Sequence, residues 1–184
     1  MKSKTQMYVV TAFAAAIIAV LAQISIPLPM GVPITGQTLA VGLVVTILGT
    51  KYGSLAVLVY ILLGAIGMPV FSSMSGGIGV LVGPTGGYII GFLAQAFIQG
   101  LYMDKFGYTY VHAIISNLIG MVITLAFGTA WLKVALSISW EAAFMGGVYP
   151  FIILGIVKAV AAAYFGIIVR NRLLSQQLIP SLKY

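Results

Sequence analysis

The chain has 184 residues, of which 61% are hydrophobic and 6% are charged, with a formal net charge of +7 and a mean hydropathy of +1.16. Soluble domains carry about 25% charged residues, so this composition excludes a soluble domain and indicates an integral membrane protein. The basic residues stand singly along apolar segments and form no cluster, which argues against a nucleic-acid partner.

The residue types that are missing or rare exclude several kinds of chemistry. The chain has no cysteine and its only histidine is His112, which excludes disulfides, thiol catalysis and multi-histidine metal sites. An intramembrane enzyme needs a nucleophile with a base or a metal site, and Asp104 and Glu141 are the only acids here. No phosphate-binding loop occurs, so any ATP-driven work requires another chain. We expect no enzyme, no cofactor and no metal.

The apolar segments predict an all-α membrane protein with six transmembrane helices in one compact bundle. A helix needs about 20 apolar residues to cross the hydrocarbon core, and the length allows six such spans in one domain covering residues 1–184. In chain order, the predicted helices lie at about residues 6–26, 37–48, 54–66, 88–103, 108–131 and 148–169.

The first helix carries small residues at a spacing that favours close helix packing. Ala12 with Ala16, and Ala15 with Ala19, are separated by four positions and lie on the same face of a helix. Such pairs let the backbone of another helix approach closely in lipid. The pairs indicate either a surface for another chain or ordinary packing within this one.

Three prolines, Pro27, Pro29 and Pro33, end the first helix, because each removes a backbone donor and clashes with the preceding turn. The segment 27–38 is too apolar for bulk water, and we expect an ordered loop that covers a cavity. Residues 49–53 are expected to form a tight turn between the second and third helices.

A second long connection, residues 67–87, is rich in glycine and also apolar. Loops of this length in a compact protein are usually functional or disordered, and disordered loops are seldom so apolar. We interpret the segment as a lid or re-entrant element, with a passive connector as the alternative. Both long loops would cap a ligand pocket at one end of the bundle.

Lys158 is the only basic residue deep inside an apolar run. A lone ammonium at the centre of a membrane helix costs on the order of 3 kcal/mol on insertion scales, so something must offset that cost. The offset could come from Glu141, from a water-filled cavity or from an anionic ligand, or Lys158 could extend to the membrane surface. Asp104 is expected at the opposite membrane face. We favour the carboxylate of a small substrate.

Other polar and aromatic side chains extend this candidate site. Gln37 and Asn117 are amides at membrane depth, where each must bond across helices or face a cavity. For Asn117, interhelical bonding alone is the alternative. Aromatic residues either stack on a flat ligand or form an interfacial belt, and they lie at Phe71, Tyr88, Trp140 and Tyr149. An apolar pocket with a few amides and one cation suits a compact amphipathic acid with a hydrogen-bonding head.

The distribution of basic residues predicts the orientation of the chain. With six spans and a cytoplasmic N-terminus, almost all of them fall on the inner side and only Lys133 falls outside, as the positive-inside rule requires. The residues on the inner side are Lys2, Lys4, Lys51, Lys105, Arg170, Arg172 and Lys183. We therefore expect both termini in the cytoplasm of a prokaryotic cell and both apolar loops on the outer side.

Three segments of the chain are distinctive: VPITGQTLAV at residues 32–41, GAIGMPVF at 64–71 and GPTGGYIIGF at 83–92. In these segments the chain resembles the BioY family, the biotin-binding S components of energy-coupling-factor transporters. The resemblance covers nearly the whole chain, and the first and third motifs are specific. It returns in the last helix, where the family has a Pro-Phe-Ile-Pro-Gly-Asp-x-x-Lys pattern and this chain has PFIILGIVK at 150–158.

The resemblance implies biotin capture from the outer side and coupling to a membrane-embedded T component with two ATPases. We assign eight residues to the substrate site: Lys158, Asn117, Gln37, Tyr88, Glu141, Tyr149, Phe71 and Gly86. Ala12, Ala16 and Ala19 resemble the alanine motif by which S components dock onto the T component. Alternatives are an S component for another small vitamin and a structural membrane protein without transport activity.

The chain departs from the family pattern in one place. Ile153, Leu154 and Gly155 stand where the family usually has Pro, Gly and Asp. An ion pair between that acid and Lys158 cannot form here. Lys158 is then either more open to an incoming carboxylate or paired with Glu141 as a substitute.

Overall fold

A computed structural model describes residues 4–28 and 31–179 of the chain. The predicted break at Pro29, and the basic residues Lys2 and Lys183, lie outside these ranges. In the described part the α-helices are α1 (Lys4–Ala22), α2 (Gln37–Ala65), α3 (Ile78–Val82), α4 (Gly86–Phe106), α5 (Tyr110–Leu136), α6 (Trp140–Gly147) and α7 (Ile152–Ser175). Two short strands, β1 (Ser25–Ile26) and β2 (Ile34–Thr35), pair antiparallel, and 3-10 helices cover Ser72–Met74 and Tyr149–Phe151.

Helix α2 folds back on itself at Gly49 and forms two antiparallel spans. Gly49 has φ +74°, a left-handed conformation that glycine adopts without strain. The side-chain amide of Gln37 donates to the hydroxyl of Tyr60, although 23 residues of straight helix would separate them by about 35 Å. Residues 37–48 and 50–65 are therefore the predicted second and third helices. The predicted turn is shorter than expected, because Thr50 onward is already helical.

Six long helical segments form the bundle, which confirms the predicted all-α fold: α1, the two arms of α2, α4, α5 and α7. Helix α4 packs against both α2 and α5, α1 packs on α2, and α7 packs on α2 and α5. By length and composition, four stretches could cross a membrane: Lys4–Ala22, Gln37–Ala65, Tyr110–Leu136 and Trp140–Ser175. The second of these contains two spans. The polar residues of α4, such as Gln95 and Gln99, lower its hydropathy.

Several predicted helix boundaries differ from the observed ones near the long loops. The first helix ends at Ala22, because residues 25–26 pair with 34–35 in the small sheet. The fifth helix continues to Leu136, so Lys133 lies in its last turn and not in a loop. The segment after it is the short helix α6, capped by Ser139, whose hydroxyl accepts from the main-chain N–H of Ala142 at 3.2 Å.

The glycine-rich segment 67–87 is ordered and packs back onto the bundle. Phe71 is fully buried, with its ring edge-to-face against Tyr60 at a centroid distance of 5.5 Å. Its ring lies directly over Gly64, where a Cβ would overlap it. The amide of Gln23, just after α1, donates to the carbonyls of Val70 and Phe71. These contacts hold the segment against the end of α1.

Candidate functional site

A cavity opens at the end of the bundle that carries the small sheet and the 3-10 helices. Counted together with the solvent space at its mouth, about 850 Å³ lies outside protein atoms. The wall is made of α2, α4, α5 and α7, together with residues of the two long loops. It is lined by Val32, Pro33, Thr35, Gln37, Thr38, Ser72, Thr85, Tyr88, Ile89, Phe92, Gln95, Asn117, Met121, Thr124, Leu125, Phe151, Leu154, Gly155, Lys158 and Ala159.

Lys158 lines this cavity from the second turn of α7. Its ammonium is half-buried and donates to the main-chain carbonyl of Thr35, with an Nζ to O distance of 2.7 Å. The pairing of β1 with β2 brings that carbonyl to the cavity edge. In the part of the chain that the structure describes, Lys158 forms no ion pair with Glu141, which is exposed on α6. Of the two alternatives for Lys158, the one in which Glu141 replaces the missing family acid does not occur in this structure.

Gln37 begins α2 and is held at the cavity wall from both sides. Its Oε1 accepts from the hydroxyl of Thr35 at 2.9 Å, and its Nε2 donates to the hydroxyl of Tyr60. The main-chain N–H of Gln37 also donates to the Thr35 hydroxyl at 3.3 Å. Thr35 thus fixes the positions of both Gln37 and Lys158.

Asn117 lines the cavity and also bonds across helices. Its Nδ2 donates to the hydroxyl oxygen of Thr46 on α2 at 3.0 Å and to the carbonyl of Ala113 at 2.9 Å. Beside it, Gln95 on α4 accepts from the hydroxyl of Thr124 on α5 at 2.7 Å. Gln95 and Thr124 were missed in the sequence, although a buried amide in a membrane helix is itself a signal.

Tyr88 closes the outer part of the cavity. Its hydroxyl donates to the main-chain carbonyl of Gly147 at 2.8 Å, which ties α4 to the end of α6. Its ring is tilted against that of Phe151, with centroids 6.1 Å apart. The two rings give the cavity an aromatic wall.

Five residues that the sequence analysis offered for the site do not line this cavity. Phe71 is buried behind it against Tyr60, and Gly86 starts α4 pressed against the carbonyl of Leu81. Tyr149 is 63% exposed, because the 3-10 helix turns it outward and brings Phe151 inward. Glu141 and Trp140 are exposed as well. The ammonium of Lys133 lies over the Trp140 ring, 5.4 Å from its centroid.

The alanines of α1 divide between two faces. Ala12 and Ala16 are exposed and Ala19 is half-buried, whereas Ala15 is buried in the main core. The outward face therefore keeps one of the two predicted small-residue pairs available to another helix. Within residues 4–28 and 31–179 no group of three or more metal-ligating side chains occurs.

Known proteins resemble this chain in sequence. The sequence pattern of the BioY family matches residues 1–175. The chain is 42% identical over 165 residues to the biotin transporter BioY2 of Lactococcus lactis subsp. cremoris (strain MG1363), covering 89% of this chain and 90% of that protein. It is 44% identical over 148 residues to the biotin transporter BioY of Thermotoga maritima, covering 80% and 86%.

A solved structure shares the fold as well. The crystal structure of the S-component for biotin from an ECF-type ABC transporter superposes with a TM-score of 0.85 at 26% identity, covering 93% of this chain and 95% of that one. The predicted resemblance is confirmed. This chain belongs to the BioY family.

Proposed function

We propose that the chain captures biotin from the outer side of the membrane and acts as the S component of an energy-coupling-factor transporter. Its described relatives are biotin transporters, and the whole chain, residues 1–184, would form the substrate-binding domain. One observation carries the proposal. Lys158 lines the cavity, and its hydrogen-bond partner among the described residues is a neutral carbonyl. An anion that enters the cavity would therefore supply the opposite charge that residues 4–28 and 31–179 do not give it.

Biotin matches the two kinds of polar group on the wall. Its valerate carboxylate is assigned to Lys158, which keeps two N–H donors beyond the one used by Thr35. Its ureido ring is assigned to the amides of Asn117 and Gln95, and its apolar ring and chain to the walls formed by residues such as Phe92 and Phe151. Gln37 and Tyr88 complete the site.

Calorimetry on the purified protein tests this assignment with two ligands, biotin and biotin amide, in which the carboxylate is neutral. Removing one partner of a desolvated charge pair costs about 2–5 kcal/mol. We expect Lys158→Met to weaken biotin binding at least about 30-fold and to change the affinity for the amide by less than about threefold. Lys133→Met removes a half-buried lysine away from the cavity and is the matched control. Equal affinity of the wild type for both ligands would contradict the assignment of the carboxylate.

We further propose that both termini are cytoplasmic and that the cavity opens outward. Lys4, Lys51, Lys105 and Arg172 lie at the end of the bundle away from the cavity, where the positive-inside rule places them in the cytoplasm. Because the chain has no cysteine, Lys133→Cys and Lys51→Cys each introduce a single thiol. An impermeant thiol reagent added to intact cells should label the first and not the second.

The docking partner is proposed to be a T component with its ATPases, contacted through Ala12, Ala16 and Ala19. The outward position of Ala12 and Ala16 supports this, because small residues allow close approach of helices in lipid. Ala16→Phe should reduce co-purification with the T component while leaving biotin affinity unchanged. Phe13→Ala, which shrinks a neighbouring exposed residue, is the control for surface change alone.

A further inference from the structure

A directional hydrogen-bond network lies behind the cavity, between α2, α4 and α5. Its two inner members, Thr46 and Gln99, are fully buried and do not line the cavity. Its two outer members, Asn117 and Gln95, lie on the cavity wall. The inner residues are hydrogen-bonded to the outer ones and to a main-chain carbonyl. The network can therefore fix which groups of the outer residues remain as donors and which as acceptors at the wall.

The direction of the hydrogen bonds is set by the carbonyl of Gly42, because a carbonyl oxygen can only accept. It accepts from the hydroxyl of Thr46 at 2.8 Å and from Nε2 of Gln99 at 3.1 Å. The hydrogen of the Thr46 hydroxyl is therefore committed, and its oxygen acts as an acceptor. The amide of Gln99 cannot reverse, because reversal would bring two oxygens together.

Asn117 is held so that only its oxygen remains available. Its two N–H groups go to Oγ1 of Thr46 and to the carbonyl of Ala113, which is again an obligatory acceptor. No donor from residues 4–28 or 31–179 contacts its Oδ1. Oδ1 lies over Gly42 of α2, where an added Cβ would stand 2.2 Å from it, and it is the acceptor that Asn117 keeps at this part of the wall.

Gln95 has the opposite polarity. Its Oε1 accepts from Thr124, and one of its N–H groups donates to Oε1 of Gln99 at 3.1 Å. The second N–H is the group that remains, so Gln95 offers a donor. Its amide packs against Gly120, one turn after Asn117 on α5, which places the donor close to the acceptor.

We infer that Thr46 and Gln99 are positioning residues that set the wall to one acceptor and one donor, matched to the N–H and C=O of a cyclic urea. This inference rests on the proposed function, because biotin supplies the urea. Neither residue touches the ligand. Their effect is on selectivity, since a site with a fixed acceptor disfavours a ligand that lacks the matching donor and leaves the acceptor unpaired.

The test measures the affinities for biotin and for biotin methylated at both ureido nitrogens, and takes their ratio. Thr46→Val removes the hydroxyl while keeping the shape of the side chain. We expect it to weaken biotin binding about tenfold and to reduce the ratio by a similar factor, as for one lost hydrogen bond. Thr11→Val is the matched control, because Thr11 is a buried threonine that donates to its own helix carbonyl, four residues back, outside the site. Its ratio should equal that of the wild type.

Gln99→Met provides a second variant of similar size in case Thr46→Val fails to fold, and should also lower the ratio. A loss of affinity that is equal for the two ligands, with the ratio unchanged, would overturn the inference and indicate a structural role only. Failure of the wild type to bind biotin would instead overturn the proposed function. The wild-type titration thus separates the two failures.

Discussion

The two ends of the helix bundle both hold buried polar groups, and they use them differently. At the cavity end, Lys158, Asn117 and Gln95 each retain hydrogen-bonding capacity after their protein contacts are counted. At the other end, Asp104 accepts from the main-chain N–H and hydroxyl of Thr50 and from the hydroxyl of Tyr108. Polar groups that saturate one another support the fold, and polar groups that face a cavity with capacity left are suited to a ligand.

Arg170 shows how the second end is built around the reversal at Gly49. Its guanidinium donates to the carbonyl of Ile47, which precedes the break in α2, and stacks on the ring of Tyr108 at 3.4 Å from the centroid. The two contacts join α7 to α2 and to the connection between α4 and α5. The residue is almost fully buried, so its contribution should appear in stability and not in binding.

The largest expected effect tests whether the polar groups at the end away from the cavity support stability and not binding. Arg170→Leu leaves a buried carbonyl without this donor and removes a stacked cation, which together should lower the free energy of unfolding by roughly 3–5 kcal/mol. Arg172→Leu, two residues later and exposed, should change it by less than about 0.5 kcal/mol. Thermal unfolding in detergent measures both. A selective loss of biotin affinity in folded Arg170→Leu protein would break the distinction between the two ends.

An intermediate effect is expected where the loop over the cavity meets the bundle. Gly64→Ala introduces a Cβ that overlaps the ring of Phe71, and such overpacking typically costs about 1–3 kcal/mol. Because Ser72 of the same segment lines the cavity, biotin should also dissociate faster. Gly79→Ala, where a Cβ meets nothing within 4 Å, is the control. Identical melting temperatures for the two variants would contradict the packing described for Phe71.

The smallest effect concerns the attachment of that loop to α1. Gln23 donates to the carbonyls of Ala19, Val70 and Phe71 and accepts from the main-chain N–H of Met74 at 2.9 Å. Gln23→Met should raise the dissociation rate of biotin about three- to tenfold, as expected for loss of about one net hydrogen bond, with little change in melting temperature. Stopped-flow displacement measures the rate, and exposed Gln176→Met is the control. An unchanged rate would show that the segment is held by Phe71 alone.

The sequence predicted the parts of this molecule that depend on periodicity and on charge. Six apolar segments, the break near Gly49 and the position of Lys158 within the last long helix follow from composition along the chain. The partner of Lys158 could not be predicted, because the carbonyl of Thr35 belongs to the main chain and its position depends on the pairing of two short strands. Tyr149 and Phe151 could not be told apart, since only the 3-10 geometry decides which ring turns inward.

Gln95 illustrates a different gap. It stands four residues before Gln99 in a helix whose polar face resembles an exposed one, and only the packing of α5 against α4 reveals that both amides are buried. Glu141 was expected near Lys158 because the two are close in sequence. The unanticipated helix α6 directs that carboxylate away, which no periodicity in eight residues would have indicated.

The contact between Lys158 and Thr35 has a consequence for exchange at this site. The neutral carbonyl oxygen of Thr35 holds the ammonium in place when the site has no ligand. Because this oxygen carries no full negative charge, an anionic ligand does not have to displace a counter-ion. When an anion enters, the ammonium of Lys158 gains a charged partner in addition to the carbonyl dipole of Thr35. When the anion leaves, the hydrogen bond to that carbonyl still satisfies the ammonium. Since this oxygen belongs to the main chain, no point substitution can remove it. The contact therefore depends on the pairing of β1 with β2 and not on the identity of a side chain.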